Sequence, residues 1–144
     1  MQLNFYICRI SIMLVILYSS LISYMIFFSF CIAPPVNIIL DRKSSSKLLR
    51  KIFPRNFWFG ALLSVAAGFF SYYEANITSF VISCLIFFSF IFNLYFIMPA
   101  INKQADLGKK KNTYSKKFKR LHLTSVVLYL VNIVLALIAL FCVS

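Results

Sequence analysis

Four long apolar blocks separated by short polar stretches dominate the chain, and the spacing of those stretches sets the elements it predicts. The first block runs from about Phe5 to Val36 and carries a single charge, Arg9. The second runs from about Phe57 to Tyr73, the third from about Ser79 to Ala100, and the fourth from about Leu123 to Val143. Eighteen or more apolar residues suffice to cross a hydrocarbon layer roughly 30 Å thick as a helix. A helix that lies on a soluble core shows an apolar stripe, whereas these blocks are apolar all round. The predicted fold is an all-α integral membrane protein, a single 144-residue domain. It is a four-helix transmembrane bundle of two helical hairpins.

The polar stretches refine this layout. The segment from about Asn37 to Asn56 holds Arg42, Lys43, Lys47, Arg50, Lys51 and Arg55 against Asp41. Ser44, Ser45 and Ser46 offer an N-cap. Leu48, Leu49, Ile52 and Phe53 then share one helical face. The expectation is a short amphipathic helix in the first loop, lying in the headgroup plane. Pro34, Pro35 and Pro99 stand near the inner ends of the first and third blocks, where proline is expected to end or kink a helix. The second polar segment, about Ile101 to His122, holds Lys103, Lys109, Lys110, Lys111, Lys116, Lys117, Lys119 and Arg120 against Asp106, with a break expected at Leu107-Gly108-Lys109. Between the second and third blocks only Glu74 to Thr78 remains, and Asn76-Ile77-Thr78 matches the glycosylation sequon. A faint repeat links the halves: Phe27-Phe28-Ser29-Phe30 and Phe87-Phe88-Ser89-Phe90 each precede a proline, an asparagine and a basic loop.

Composition changes the picture in one respect. The chain is 62% hydrophobic and 12% charged, with a formal net charge of +12. A soluble domain of this size cannot hide so much apolar surface. In a soluble protein such basicity suggests nucleic acid. Here the cations sit in two loops between hydrophobic blocks, so no nucleic-acid partner is expected. Fourteen of the fifteen Lys and Arg fall in those loops, and only Arg9 opposes them. The positive-inside rule therefore puts both loops in the cytoplasm and both termini on the outer side. The expected location is a bacterial inner (cytoplasmic) membrane. The expected partners are membrane lipids, anionic on the cytoplasmic side. Lys47, Arg50, Lys51, Lys116, Lys117, Lys119 and Arg120 are the candidate headgroup contacts. A homo-oligomer or a partner membrane protein remains open.

Candidate chemistry is sparse. Gly60, Ser64 and Gly68 recur every four residues, flanked by Ala61, Ala67 and Ser71, a pattern that lets helices approach closely in lipid. The same groove could admit a lipid tail. Asn93 and Asn132 are the strongest polar residues at depth, and Ser89 and Tyr129 lie nearby. At 1.5 Å per residue the two amides differ in depth by about 5 Å. They read as interhelical glue or as a site for a polar headgroup or small solute. His122 opens the fourth block, as an interfacial anchor or a ligand. Cys8, Cys31, Cys84 and Cys142 show neither disulfide nor zinc spacing and read as small hydrophobes. No carboxylate sits at depth to carry protons. No catalytic residue, cofactor or metal is expected, and the protein is not expected to be an enzyme. The function classes left are a non-enzymatic accessory or scaffold and a small transport or efflux component acting on a small solute or lipid.

Two segments resemble the transmembrane-protein-205-like family, a membrane domain of unassigned function. One is Ser46-Lys47-Leu48-Leu49-Arg50-Lys51-Ile52-Phe53-Pro54-Arg55-Asn56-Phe57, similar to the family's basic loop ending in Phe-Pro and an aromatic. The other is Met98-Pro99-Ala100-Ile101-Asn102 with the later His122-Leu123-Thr124-Ser125, similar to its third-helix exit and fourth-helix start. The sequence departs where the family pattern has an Asn four residues past that serine: Tyr129 stands there, with Asn132 nearly one turn on. The resemblance implies a four-helix membrane fold and a loose link to membrane traffic of toxic compounds.

Overall fold

The computed structural model describes the backbone of residues 2–111 and 115–143, and the side chains there except those of 2–10, 37, 42 and 109–111. Cys8, Arg9 and the Lys109-Lys110-Lys111 run thus lie outside the described side chains. The described chain is all-helical: α1 (Gln2–Phe27), a π-helical segment (Phe28–Ile32), α2 (Ala33–Ile39), α3 (Arg42–Tyr73), α4 (Ile77–Phe92), a second π-helical segment (Asn93–Ile97), α5 (Met98–Lys111) and α6 (Lys116–Val143). α1 packs against α3 and α6, and α4 packs against the same two. Three stretches among the described residues are long and apolar enough to cross a membrane: Ser11–Val36, Ile77–Gly108 and Lys116–Val143. The apolar half of α3 is less hydrophobic than these because small and polar residues (Gly60, Ser64, Gly68, Ser71, Tyr72, Tyr73) make up much of it.

The prolines do not end the helices. Pro34 and Pro99 each stand two residues past a π-helical segment, and the helix resumes beyond. A proline ring collides with the carbonyl four residues back and lacks an N–H. A widened turn relieves both defects. The Ala33 N–H bonds Phe28 O and the Met98 N–H bonds Asn93 O, each five residues back. Pro35 follows Pro34 within the first turn of α2, where a missing N–H is tolerated. The expectation that Pro34, Pro35 and Pro99 break the chain is therefore corrected: they widen it. Both widened turns occupy the same place relative to Pro34 and Pro99, but the faint repeat does not coincide with them: Phe27-Phe28-Ser29-Phe30 overlaps the first, whereas Phe87-Phe88-Ser89-Phe90 lies in α4, before the second.

The amphipathic stretch is not a separate helix lying flat. It is the beginning of α3, which runs unbroken through Pro54. Asp41 caps it, its carboxylate accepting from the N–H groups of Lys43 (3.0 Å) and Ser44 (3.2 Å). The apolar face meets protein: Phe53 packs edge-on to Phe28 with ring centroids 5.3 Å apart. Similarly, the second basic stretch is helical well past its predicted start, because α5 continues to Lys111 with no break at Gly108.

The α3–α4 turn closes tightly. Ala75 adopts φ 54°, with its N–H bonded to Tyr72 O (3.1 Å) and the Asn76 N–H to Ser71 O (3.0 Å). This is the paired bonding that satisfies the last carbonyls of a helix. Asn76 then caps α4 through Ser79 N and donates to Cys142 O at 3.3 Å, so its amide is already engaged on α6. The packing between helices is small-residue-rich: Gly60, Ala61, Ser64, Ala67, Gly68 and Ser71 are all buried along α3. Opposite them sit Tyr18, Leu21 and Met25 of α1 and Ile82, Ile86 and Phe90 of α4.

Candidate functional site

At the end of the bundle that carries the basic residues, the helices part around a cleft of about 790 Å³. That volume falls within the roughly 300–1,000 Å³ of small-molecule sites. Its walls come from the first π-helical segment and α2, the beginning of α3, α5 and the start of α6. Most of its lining is apolar, including Phe28, Leu49, Phe53, Phe57, Met98 and Ile133. Polar groups share the wall: Ser45, Ser46, Asn102, Ser125 and, at its more exposed rim, Arg50 and His122. The cleft is amphipathic, like the interface region of a bilayer.

The widened turns explain how it forms. The first π-helical segment supplies Phe28, Ser29 and Phe30, and Ala33 and Pro34 follow it. Met98, Ile101 and Asn102 follow the second. A π turn rotates the residues beyond it by most of one position, which turns these side chains inward.

Arg50 is the most constrained polar group of the rim. Its Nη2 donates to Asp106 Oδ1 at 2.6 Å and to Asn102 O at 3.2 Å, while Nη1 donates to Asp106 Oδ2 at 3.1 Å. This two-pronged grip ties α3 to α5. The Arg50 side chain is 31% exposed and that of Asp106 55%, so the carboxylate sits on the solvent side of the pair. Exposed ion pairs contribute little, with a median near 0–1 kcal/mol, though two-pronged geometry places this one at the upper end.

The structure brings some predicted residues together and separates others. His122 and Tyr129 line the cleft with Ser125 between them, on one face of α6. His122 is exposed, and its ring lies parallel to that of Phe118 with centroids 6.2 Å apart. Tyr129 accepts from Asn56 Nδ2 at 3.1 Å. Asn93 is fully buried behind the cleft, accepting from Ser125 Oγ at 2.8 Å and donating weakly to Ser89 O at 3.4 Å. Asn132 is also fully buried, and neither atom of its amide has a hydrogen-bond partner; the Ser89 hydroxyl is in the same position. Asn132, Asn93 and Ser89 do not line the cleft. Of the headgroup candidates, Lys47, Lys51, Lys116, Lys117, Lys119 and Arg120 are exposed, and only Arg50 reaches the rim. Asp41 is engaged at the α3 cap, where bonds to Ser44 first, and then Lys43, hold its carboxyl below the ordinary value of 3.8.

Sequence reasoning missed Asn56, Asn102 and the Arg50–Asp106 pair. Asn56 and Asn102 were hidden because both fall in stretches read as loop. The pair joins residues 56 apart, and no spacing rule links them. A second buried polar group lies at the opposite end of the bundle. There Tyr18 Oη donates to Ser79 O at 3.0 Å and lies 2.7 Å from Ser83 Oγ. It joins α1 to α4 and does not line the cleft described above.

No curated protein and no solved structure matches the chain. A family model described as a domain of unknown function (DUF4149) matches residues 16–110, which include α3 with Arg50, both widened turns and Asp106. With two thirds of its length matched, the chain belongs to this family of unknown function.

Proposed function

We propose that the chain is a non-enzymatic membrane component that spans the bilayer four times and holds a lipid or similar amphiphile in the cleft. The observation that carries this is the lining of the cleft itself, apolar over most of its wall with a smaller set of polar groups, at the end of the molecule where the cations are concentrated. Acyl chains suit the first and headgroups the second. Exposed Lys47, Lys51, Lys116, Lys117, Lys119 and Arg120 surround that end and favour anionic lipid, each worth up to about 1 kcal/mol near a charged surface.

In this reading the apolar half of α3 is the fourth span, shielded by its neighbours and so in need of less hydrophobicity. Both basic segments face the cytoplasm of a bacterial inner membrane, and both termini lie outside. The finer resemblance to the transmembrane-protein-205-like family fits the same reading: the residues that carry it include Arg50, Phe53, Met98, Asn102, His122 and Ser125, all of which line the cleft. A transport or efflux role is the second reading, and Tyr129 at the cleft favours it. Passage onward would have to go by Asn93 and Asn132, which lie behind the cleft wall.

Native mass spectrometry from mild detergent tests the proposal and reads the oligomeric state. The wild-type protein should retain lipid. A Ser29→Trp variant, which fills the cleft, should retain much less while keeping its helical content. Equal retention by both proteins would mean that the cleft is not the lipid site.

A further inference from the structure

We propose that Arg50 is the seat of an anionic phospholipid headgroup, and that Asp106 occupies that seat when the cleft is empty. The inference rests on the cleft being a lipid site and adds the chemistry of recognition. Among the described residues Arg50 is the one cation lining the cleft; the other polar groups of the rim are hydroxyls, an amide and an imidazole. A guanidinium presents parallel N–H groups that match the oxygens of a carboxylate or a phosphate alike. The Asp106 carboxylate takes that face at 2.6 and 3.1 Å, yet Asp106 is not itself part of the cleft lining. It approaches from the solvent side, more exposed than the arginine it binds. The phosphodiester of phosphatidylglycerol, whose charge no choline balances within the headgroup, would present the same pair of oxygens from the cleft side.

The balance of charge favours this exchange. Asp106 is the only acid in a segment that also holds Lys103, Lys109, Lys110, Lys111, Lys116, Lys117, Lys119 and Arg120. A carboxylate released from Arg50 remains in a segment of the chain rich in cations. A headgroup at Arg50 meets the same positive field and gains from it. The bond from Arg50 Nη2 to Asn102 O, at 3.2 Å, is independent of Asp106 and holds the guanidinium at the rim through the exchange. The Arg50–Asp106 pair is then a latch on the headgroup seat that lipid opens, while α3 stays tied to α5 through Asn102.

The test titrates the reconstituted protein with phosphatidylglycerol against phosphatidylcholine and reads retention by native mass spectrometry. Asp106→Asn removes the competitor and should tighten phosphatidylglycerol binding by roughly five- to tenfold, leaving phosphatidylcholine unchanged. Arg50→Gln should bring phosphatidylglycerol down to the level of phosphatidylcholine, and adding Asp106→Asn to it should then have no effect. A folded Asp106→Asn protein whose phosphatidylglycerol affinity is unchanged or weaker would overturn the latch. A measurement on the unmodified protein gives the same answer should that variant not fold. Carbodiimide labelling of Asp106 should rise as phosphatidylglycerol is added and not as phosphatidylcholine is, and equal labelling would overturn the proposal. Loss of both lipids in the Ser29→Trp variant separates the two questions: if that variant keeps both lipids, the cleft reading fails before the latch is at issue.

Discussion

Gly60 and Gly68 stand two turns apart on the same face of α3, and both are buried, yet the space beside them differs. A Cβ at Gly60 would collide with the Tyr24 hydroxyl and lie 2.5 Å from Phe90 Cζ. A Cβ at Gly68 would meet only Ser83 Cβ, at 3.4 Å, an ordinary contact. Gly60→Ala should therefore cost about 1–3 kcal/mol, the usual penalty of overpacking. Gly68→Ala should be near neutral, and only a large residue such as leucine should disrupt packing there. Thermal melts of both alanine variants in one detergent check this, and equal losses would contradict it. Asn132 invites the opposite prediction. Its buried amide has no partner, so Asn132→Leu, which keeps the same γ-branched skeleton, should raise stability by up to about 1–3 kcal/mol. A lower melting temperature would show that the amide has a partner in the membrane-embedded protein. The small-residue row and the buried asparagines were legible in the sequence because each stands out against an apolar background. Which glycine is tight was not, because that depends on where Tyr24 of another helix points.

The helices were legible as apolar blocks, but their ends were not, for a definite physical reason at each place. Pro34 and Pro99 lose one hydrogen bond and meet one clash, and a π turn absorbs both within the helix. Local sequence signals the defect without indicating whether the chain stops or widens. The amphipathic stretch 42–56 carries the pattern of an interfacial helix, and its apolar face would suit lipid or protein equally. In the fold it does both: Phe53 packs on Phe28, and Phe53 and Leu49 also line the cleft. The turn after α3 yields a sharp prediction. Ala75 holds a left-handed conformation that costs a residue with a Cβ roughly 1–2 kcal/mol. Ala75→Gly should recover part of that and raise the melting temperature, whereas Ala75→Val should lower it. At the other end of α3, the cap at Asp41 makes helix stability depend on acid. Its carboxyl titrates below the ordinary value in the folded protein, so the cap's contribution is fully present above that value and is lost as pH falls through the lowered one. The protection factors of the Lys43 and Ser44 amides should fall at acid pH, and in Asp41→Ala they should be low at all pH values.

For the whole molecule the open question is which way it sits, and the charges give a definite expectation. Six Lys and Arg lie between the first two apolar blocks and eight between the last two, against Arg9 alone elsewhere. Cations near the ends of spans resist transfer across the membrane, so both basic segments should remain in the cytoplasm. The chain reverses direction in the tight turn at Ala75, a site with no Lys or Arg. If α3 crosses the bilayer, that turn lies outside and Lys47 inside. If α3 does not cross, the two lie on the same side, and the packing of α3 between α1 and α4 would have to be satisfied within one leaflet. Its buried row from Gly60 to Ser71 packs against α1 and α4, which both belong to stretches long and apolar enough to cross. Both positions are exposed at their side chains and lie away from the row of small residues, so single cysteines there should not disturb the fold. In a background free of Cys8, Cys31, Cys84 and Cys142, a membrane-impermeant thiol reagent applied from outside should label Ala75→Cys and spare Lys47→Cys until the membrane is opened. Labelling of both from outside would exclude α3 as a span, and labelling of Lys47→Cys alone would invert the orientation.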